Sequence, residues 1–322
     1  MIAKKILNKT VTTILLLLLS SSIHSANYDI IVALDGTGDF SSIQEAILSV
    51  RSYTPEPKTI FVKSGTYCEK VEIPPDKCDI TIIGESAQST IISWDDHAKK
   101  DNMGTFKSYT LIVFGDRIIL KDITIENSSP AVAQAVALHI EGTLFAAIRC
   151  RLLGNQDTLF TGSEYSQQYY HQCYIEGTTD FIFGPATAWF QECQIHSKRN
   201  SYITAASTSQ KQPYGYIFNQ CNLTADKEID RVYLGRPWRK HAATLFLSCH
   251  MDAHITHPGW DNWRNPENEK SARYGEYNSS GEGANPKQRV AWSNQLTKKQ
   301  AKQITLDKVF PNWTTLSNNI KQ

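Results

Sequence analysis

The chain has almost no surplus of either charge: 33 lysines and arginines face 32 aspartates and glutamates. A near-neutral balance of this kind excludes nucleic-acid binding as a main purpose, because phosphate contacts need a basic surface. Of the nine histidines only His250 and His254 stand at H-x-x-x-H spacing, and they follow Cys249 in a strand-like segment rather than on a helix, so no metal site is expected. There is no G-x-S-x-G segment, which disfavours a serine hydrolase built on a nucleophile elbow. No stretch rich in glycine, serine or proline divides the chain, so one continuous body is expected after the leader. The longest apolar run, Val11 to Leu19, is shorter than the roughly 20 residues that span a bilayer.

That run has a different meaning. Lys4, Lys5 and Lys9 precede it, and small residues follow it up to Ser25 and Ala26. The layout is that of a secretory signal peptide, so 1–25 is expected to be removed and 26–322 to form the mature protein. No cysteine lies at the cleavage region, which excludes a lipid anchor there and leaves no membrane attachment after cleavage.

What the chain does have is a repeat. Short β-rich segments recur around Ile80 and Ile123, then at Cys150, Cys173, Cys193, Cys221 and Cys249. From Ile123 onward the spacings run from 20 to 28 residues. Two positions further on stands an apolar residue each time: Ile82, Ile125, Leu152, Ile175, Ile195, Leu223 and Met251. Alternation with period two is a strand signal, and a repeat of this length marks a solenoid. The leucine-rich frame is absent, so an all-β, right-handed parallel β-helix with short capping helices fits best.

Smaller features follow from local pattern. Tyr28 to Leu34 reads as an opening strand, and the coils begin with the strand that starts at Thr59. Ser41 and Gln44 resemble a capping box before a helix with Ile43, Ala46, Ile47 and Val50 on one face. Thr297 is expected to cap a last helix running through Ile304, with Leu296, Ala301 and Ile304 facing the body. Past the leader, four N-x-S/T sequons begin at Asn127, Asn222, Asn278 and Asn312. The ladder cysteines could form a bridge, with Cys173 and Cys193 the favoured pair because their spacing is shortest. Buried free thiols are the alternative.

Seven residues after Cys150 comes Asp157, and seven after Cys173 comes Asp180. In a β-helix, coils lie about 4.8 Å apart, so equal offsets stack the two carboxylates. Stacked carboxylates cannot both ionise cheaply, which is the arrangement of a nucleophile beside an acid. Gln156 adjoins Asp157, and Gln134 lies about one coil earlier; their amides could donate to a developing oxyanion.

The segments DGTGDFSSIQEA, VKSGTYCEKV, TFKSYTLIV, QAVAL, GNQDTLF, YIEGTTDFIFG, YLGRPW and PGWDNW, in this order, resemble the pectin methylesterases. The resemblance covers nearly all of the mature chain. It implies a carbohydrate esterase that hydrolyses the C6 methyl ester of galacturonate in pectin. Carboxylates can do this chemistry, so no metal or cofactor is expected, and the protein is expected to be a monomer. It implies Asp180 as nucleophile, Asp157 as acid/base, and Gln134 and Gln156 as oxyanion donors. Arg236 would hold the nucleophile or a substrate carboxylate. Thr105, Phe160, Phe181, Trp238 and Trp260 would contact substrate, with Trp263 a further aromatic face. One departure stands out: His139 follows QAVAL, where the family often has arginine. The rival β-helix chemistries, pectate lyase and polygalacturonase, need carboxylate motifs that are missing here. A non-catalytic relative, or an esterase of the same fold acting on another ester, is the alternative.

Overall fold

The structure is a computed structural model that describes residues 28–311 and 313. The leader expected at 1–25 and the sequon at Asn312 lie outside the described residues. Three parallel sheets form the faces of a prism. A long sheet of 11 strands runs from Ile30–Val32 to Asn294–Gln295. A cysteine sheet of 8 strands runs from Gly65–Tyr67 to His250–Met251. A cleft sheet of 7 strands runs from Val71–Ile73 to Tyr233–Gly235. Each of the seven complete coils contributes one strand to each sheet, the end coils add the extra strands of the long and cysteine sheets, and the coils wind right-handed, the hand of parallel crossover connections. The fold is the parallel β-helix that the repeat requires.

The cysteine ladder is as the spacing predicts. Thr124, Arg151, Tyr174, Gln194, Asn222 and His250 are in register, so the residues just before them, Ile123 and the five cysteines, stack inside. The corner from the long sheet into this one turns on a single left-handed residue. Asp122, Arg149, Gln172, Glu192, Gln220 and Ser248 all have φ between 51° and 56°. These corners have no room for insertions. Variation in coil length falls instead on the other two corners: 95–110 is the longest connection from the cysteine sheet into the cleft sheet, and 207–215 the longest from the cleft sheet back to the long sheet. One expectation is corrected. Ile80 and Ile82 belong to the long sheet (Ile80–Gly84), and Thr90 takes the ladder position before Ile123. The same alternation serves every face of the prism, so a local pattern cannot tell which sheet a strand joins.

The core is stacked as well as packed. The rings of Tyr170, Phe190, Phe218 and Phe246 repeat at 4.5–4.7 Å, within 10° of parallel. The first helix, Ile43–Ser49, buries Ile43, Ala46 and Ile47 over the N-terminal end and protects it from edge pairing. Its cap is Ser42, not Ser41: the Ser42 hydroxyl accepts from Glu45 N. The Glu69 carboxylate accepts from the backbone N–H groups of Ile43 and Gln44 at 2.9 and 3.0 Å. At the other end, Thr297 does cap a helix through a full capping box, but that helix spans only Lys298–Ala301. A second short helix, Leu306–Val309, follows. The chain bends between them so that Val309, Phe310 and Trp313 cover the outer face of the long sheet. None of the described helices is long and apolar enough to cross a membrane.

The favoured bridge is also corrected: all seven cysteines are free thiols, and Cys173 and Cys193 are buried. From Cys173 onward each ladder thiol already has a carbonyl partner one coil back. Cys173 Sγ donates to Ala147 O at 3.3 Å and Cys193 Sγ to Tyr170 O at 3.5 Å. Burial pushes both thiols well above the ordinary range, so neither offers a reactive thiolate. Peptide mapping of protein denatured without reductant is expected to find Cys173 and Cys193 alkylated. The melting midpoint should be the same with and without reductant. A cross-linked peptide containing both residues would overturn this.

Candidate active site

The connections from the cysteine sheet into the cleft sheet all emerge along one edge of the prism. Asp157 and Asp180 sit there, each just before a cleft-sheet strand. Both take left-handed backbone, φ 66° and 49°, a conformation that aspartate tolerates better than most residues. Leu159 pairs with Ile182 and Phe160 with Phe183, so the two aspartates are stacked in register. Asp157 N donates to Thr179 O, and Asp180 N to Tyr202 O. Both aspartates are buried residues.

Arg236 comes from the strand Tyr233–Gly235, just past its end. Its guanidinium forks onto Asp180: Nε donates to Oδ1 at 3.0 Å and Nη2 to Oδ2 at 2.6 Å. The rings of Tyr202 and Trp263 sandwich it at 3.9 and 3.7 Å. A cation held by two faces and two hydrogen bonds has one geometry, and that geometry orients the carboxylate. Gln134 and Gln156 pair as an isolated parallel bridge, one coil apart. The Gln156 side chain adjoins the Asp157 carboxyl and favours its ionised form, as a donor to a carboxylate does.

The two aspartates differ in environment. Burial, and then the charge of Asp180, push the Asp157 carboxyl well above the carboxylate range, against Arg236 and Gln156. Burial raises Asp180 too, but its hydrogen bonds and attraction to Arg236 oppose the shift. Asp180 is therefore the member that ionises first, and Asp157 the one that keeps a proton.

These groups open into a cleft of about 270 Å³. Thr105, Gln134, Gln156, Asp157, Asp180, Arg236, Trp238 and Trp263 line it, with Phe106, Phe183 and Ala205. Three expected substrate contacts lie elsewhere. Trp260 is 1% exposed and stacks on Tyr274 at 4.2 Å inside the coil. It extends the cleft-sheet ladder by bridging to Gly235, and its ring points inward. Phe181 is fully buried in the main core, because the left-handed turn at Asp180 aims the next side chain inward. Phe160 is 7% exposed and lies under the floor, its ring 4.9 Å from Phe106 and 4.8 Å from Phe183. His139 is likewise under the floor. Its ring meets Phe160 edge-on at 4.6 Å, and Nε2 shares a 2.8 Å hydrogen bond with Glu141.

Sequence reasoning missed Phe106, Phe183, Ala205 and Tyr202. Phe183 had a signal, since it matches Phe160 at the same distance from its aspartate. Phe106 adjoins Thr105. Tyr202, which faces Arg236, had none. Of the described sequons, Asn222 and Asn278 are exposed, whereas Asn127 is buried. Among the described residues no group of three His, Cys, Asp or Glu side chains is placed to hold a metal ion.

An ionised carboxylate, a protonated neighbour and two amides around one cleft can carry out acyl transfer from an ester. Known proteins with this architecture bear the same chemistry in their names. The chain is 39% identical over 281 residues to Pectinesterase 31 of Arabidopsis thaliana, covering 84% of this chain and 88% of that one. It is 38% identical over 278 residues to a pectinesterase/pectinesterase inhibitor of Prunus persica, of which it spans only about half, 53%. Pectin methylesterase from carrot superposes with a TM-score of 0.88 at 30% identity, over 92% of this chain and 97% of that one. A pectin methylesterase solved in complex with a hexasaccharide superposes at 0.78 and 28% identity, over 90% and 98%. The family model described as Pectinesterase matches residues 29–311, and the chain belongs to the pectinesterase family.

Proposed function

We propose that this protein hydrolyses the C6 methyl esters of galacturonate in pectin, releasing methanol and leaving an acidic polymer. The observation that carries the reading is the forked Arg236–Asp180 pair with the buried Asp157 carboxyl stacked beside it, which burial and the charge of Asp180 push well above the carboxylate range. In the first half-reaction Asp180 attacks the ester carbonyl carbon. The carbonyl oxygen becomes an oxyanion, and the amides of Gln134 and Gln156 donate to it. Collapse breaks the bond to methoxide, which takes the proton of Asp157 and leaves as methanol. A galacturonyl anhydride of Asp180 remains. Water then gives a proton to the Asp157 carboxylate and attacks the galacturonyl carbon, and Asp180 leaves as carboxylate. Asp157 is protonated again, so the cycle closes without net change in the enzyme.

Thr105, Trp238 and Trp263 on the cleft walls are the proposed substrate contacts, with Phe106 and Phe183 added by the cleft geometry. Apolar ring faces beside a fixed guanidinium suit a polymer of sugar rings that bears esters and acids. We read 1–25 as a leader that exports the chain and 26–322 as one body acting as a monomer on cell-wall polymer.

Purified protein is expected to release methanol from highly methylated pectin, and to turn over a small ester such as methyl acetate far more slowly. Equal rates on the two, per ester group, would sink the pectin assignment. No turnover of either would favour a binding role.

A further inference from the structure

The loop 95–108 reaches over the N-terminal side of the cleft and carries Thr105 and Phe106 into it. Both of its feet are gripped twice. From inside, the amide nitrogen of the buried Asn127 donates to Asp96 O at 2.9 Å, to Ser108 O at 2.9 Å and to Val136 O at 3.1 Å. Two hydrogens thus serve three carbonyls. From outside, Lys70 Nζ donates to the Asp96 carboxylate and to Lys107 O, each at 2.6 Å. The loop in turn holds the neighbouring coil: Ala98 N donates to Gln134 O at 2.8 Å, and Val136 N to the Ser108 hydroxyl at 3.2 Å. Gln134 is therefore fixed on both flanks by a loop whose ends meet at one side chain.

We infer that Asn127 and Lys70 are positioning residues that clasp loop 95–108 and so aim the Gln134 amide and the Thr105–Phe106 rim at the reacting ester. The inference rests on the oxyanion role proposed for Gln134. It assigns Asn127 a second-hand part in the chemistry: Asn127 touches no reacting atom, yet its loss frees the donor. The sequon at Asn127 is closed for the same reason, because its nitrogen is already committed inside the fold.

The alternative is a purely structural Asn127, and a double-mutant cycle separates the two. Asn127→Asp keeps the shape and removes both donor hydrogens. Methanol release is measured at 25 °C, well below the melting midpoint, and expressed per folded molecule. Gln134→Ala alone should slow kcat by roughly 10²- to 10³-fold, as loss of an oxyanion donor does. Asn127→Asp should slow kcat by on the order of 10- to 100-fold, the effect of a displacement near 1 Å. The double variant should be little slower in kcat than Gln134→Ala, since a donor already absent cannot be misplaced, whereas displacement of the Thr105–Phe106 rim, a substrate contact, should raise KM in both Asn127 variants. Multiplying effects would overturn the inference, as would a folded Asn127→Asp with wild-type kcat. If Asn127→Asp fails to fold, Lys70→Met takes its place in the cycle, with the same pattern required. An unaffected Gln134→Ala would overturn the oxyanion reading itself, and the inference with it.

Discussion

Asp180→Asn is expected to abolish methanol release from methylated pectin and to leave the fold intact. The substitution keeps the volume and the hydrogen-bonding outline of the side chain but removes the charge that attacks. An amide oxygen is too weak a nucleophile to open an ester, and the neighbouring Asp157 cannot replace it, because it holds the proton that methoxide needs. Loss of a nucleophile that acts with its partners as a unit costs roughly 10⁴-fold or more in kcat. The fold should survive for a stated reason. Arg236 loses its counter-charge, but the rings of Tyr202 and Trp263 still hold the guanidinium, and the asparagine oxygen can accept from it. Circular dichroism should match wild type, with a lowered melting midpoint as the most that changes. A folded Asp180→Asn variant with near wild-type turnover would overturn the nucleophile and the mechanism together.

The part of the site that was legible in the sequence is the part fixed by coil register. Asp157 and Asp180 share an offset from successive ladder cysteines, and the ladder cysteines do stack. Equal offset from stacked residues means stacked side chains as long as the connecting corner is the same length, and here it is. The aromatic contacts were not legible in that way. Trp260 and Trp263 are three residues apart in one irregular segment, and one packs in the core while the other faces Arg236. No period governs such a loop, so composition cannot say which ring turns in. Phe181 shows the same limit at shorter range, because a left-handed turn at Asp180 breaks the alternation that placed it. The thiols were misread for a different reason. Ladder spacing brings two sulfurs within bonding reach, but each is also within reach of a carbonyl one coil back, and only coordinates distinguish the two outcomes.

Asp157→Asn should lower activity and raise stability at once. An amide can neither give a proton to methoxide nor take one from water, so both half-reactions lose their acid/base. A drop in kcat of about 10²- to 10⁴-fold is expected. The wild-type rate should fall as pH rises through the elevated pKa of Asp157, where the departing methoxide loses its donor. That limb should vanish in the variant. Stability follows from the same shift. In the unfolded chain Asp157 ionises near pH ~3.9, whereas in the folded protein burial and then Asp180 keep it protonated to much higher pH. Between those two values the folded state binds more protons than the unfolded one, so stability is lost as pH rises through the window. Asparagine does not titrate and escapes that loss. The melting midpoint of Asp157→Asn should therefore exceed that of wild type at neutral pH, and the gap should close as the pH is lowered toward 4. Thermal melts of both proteins across this range, beside their methanol release, test the two halves together. A variant that is less stable than wild type at neutral pH, or that keeps the alkaline limb, would show that Asp157 does not hold the proton.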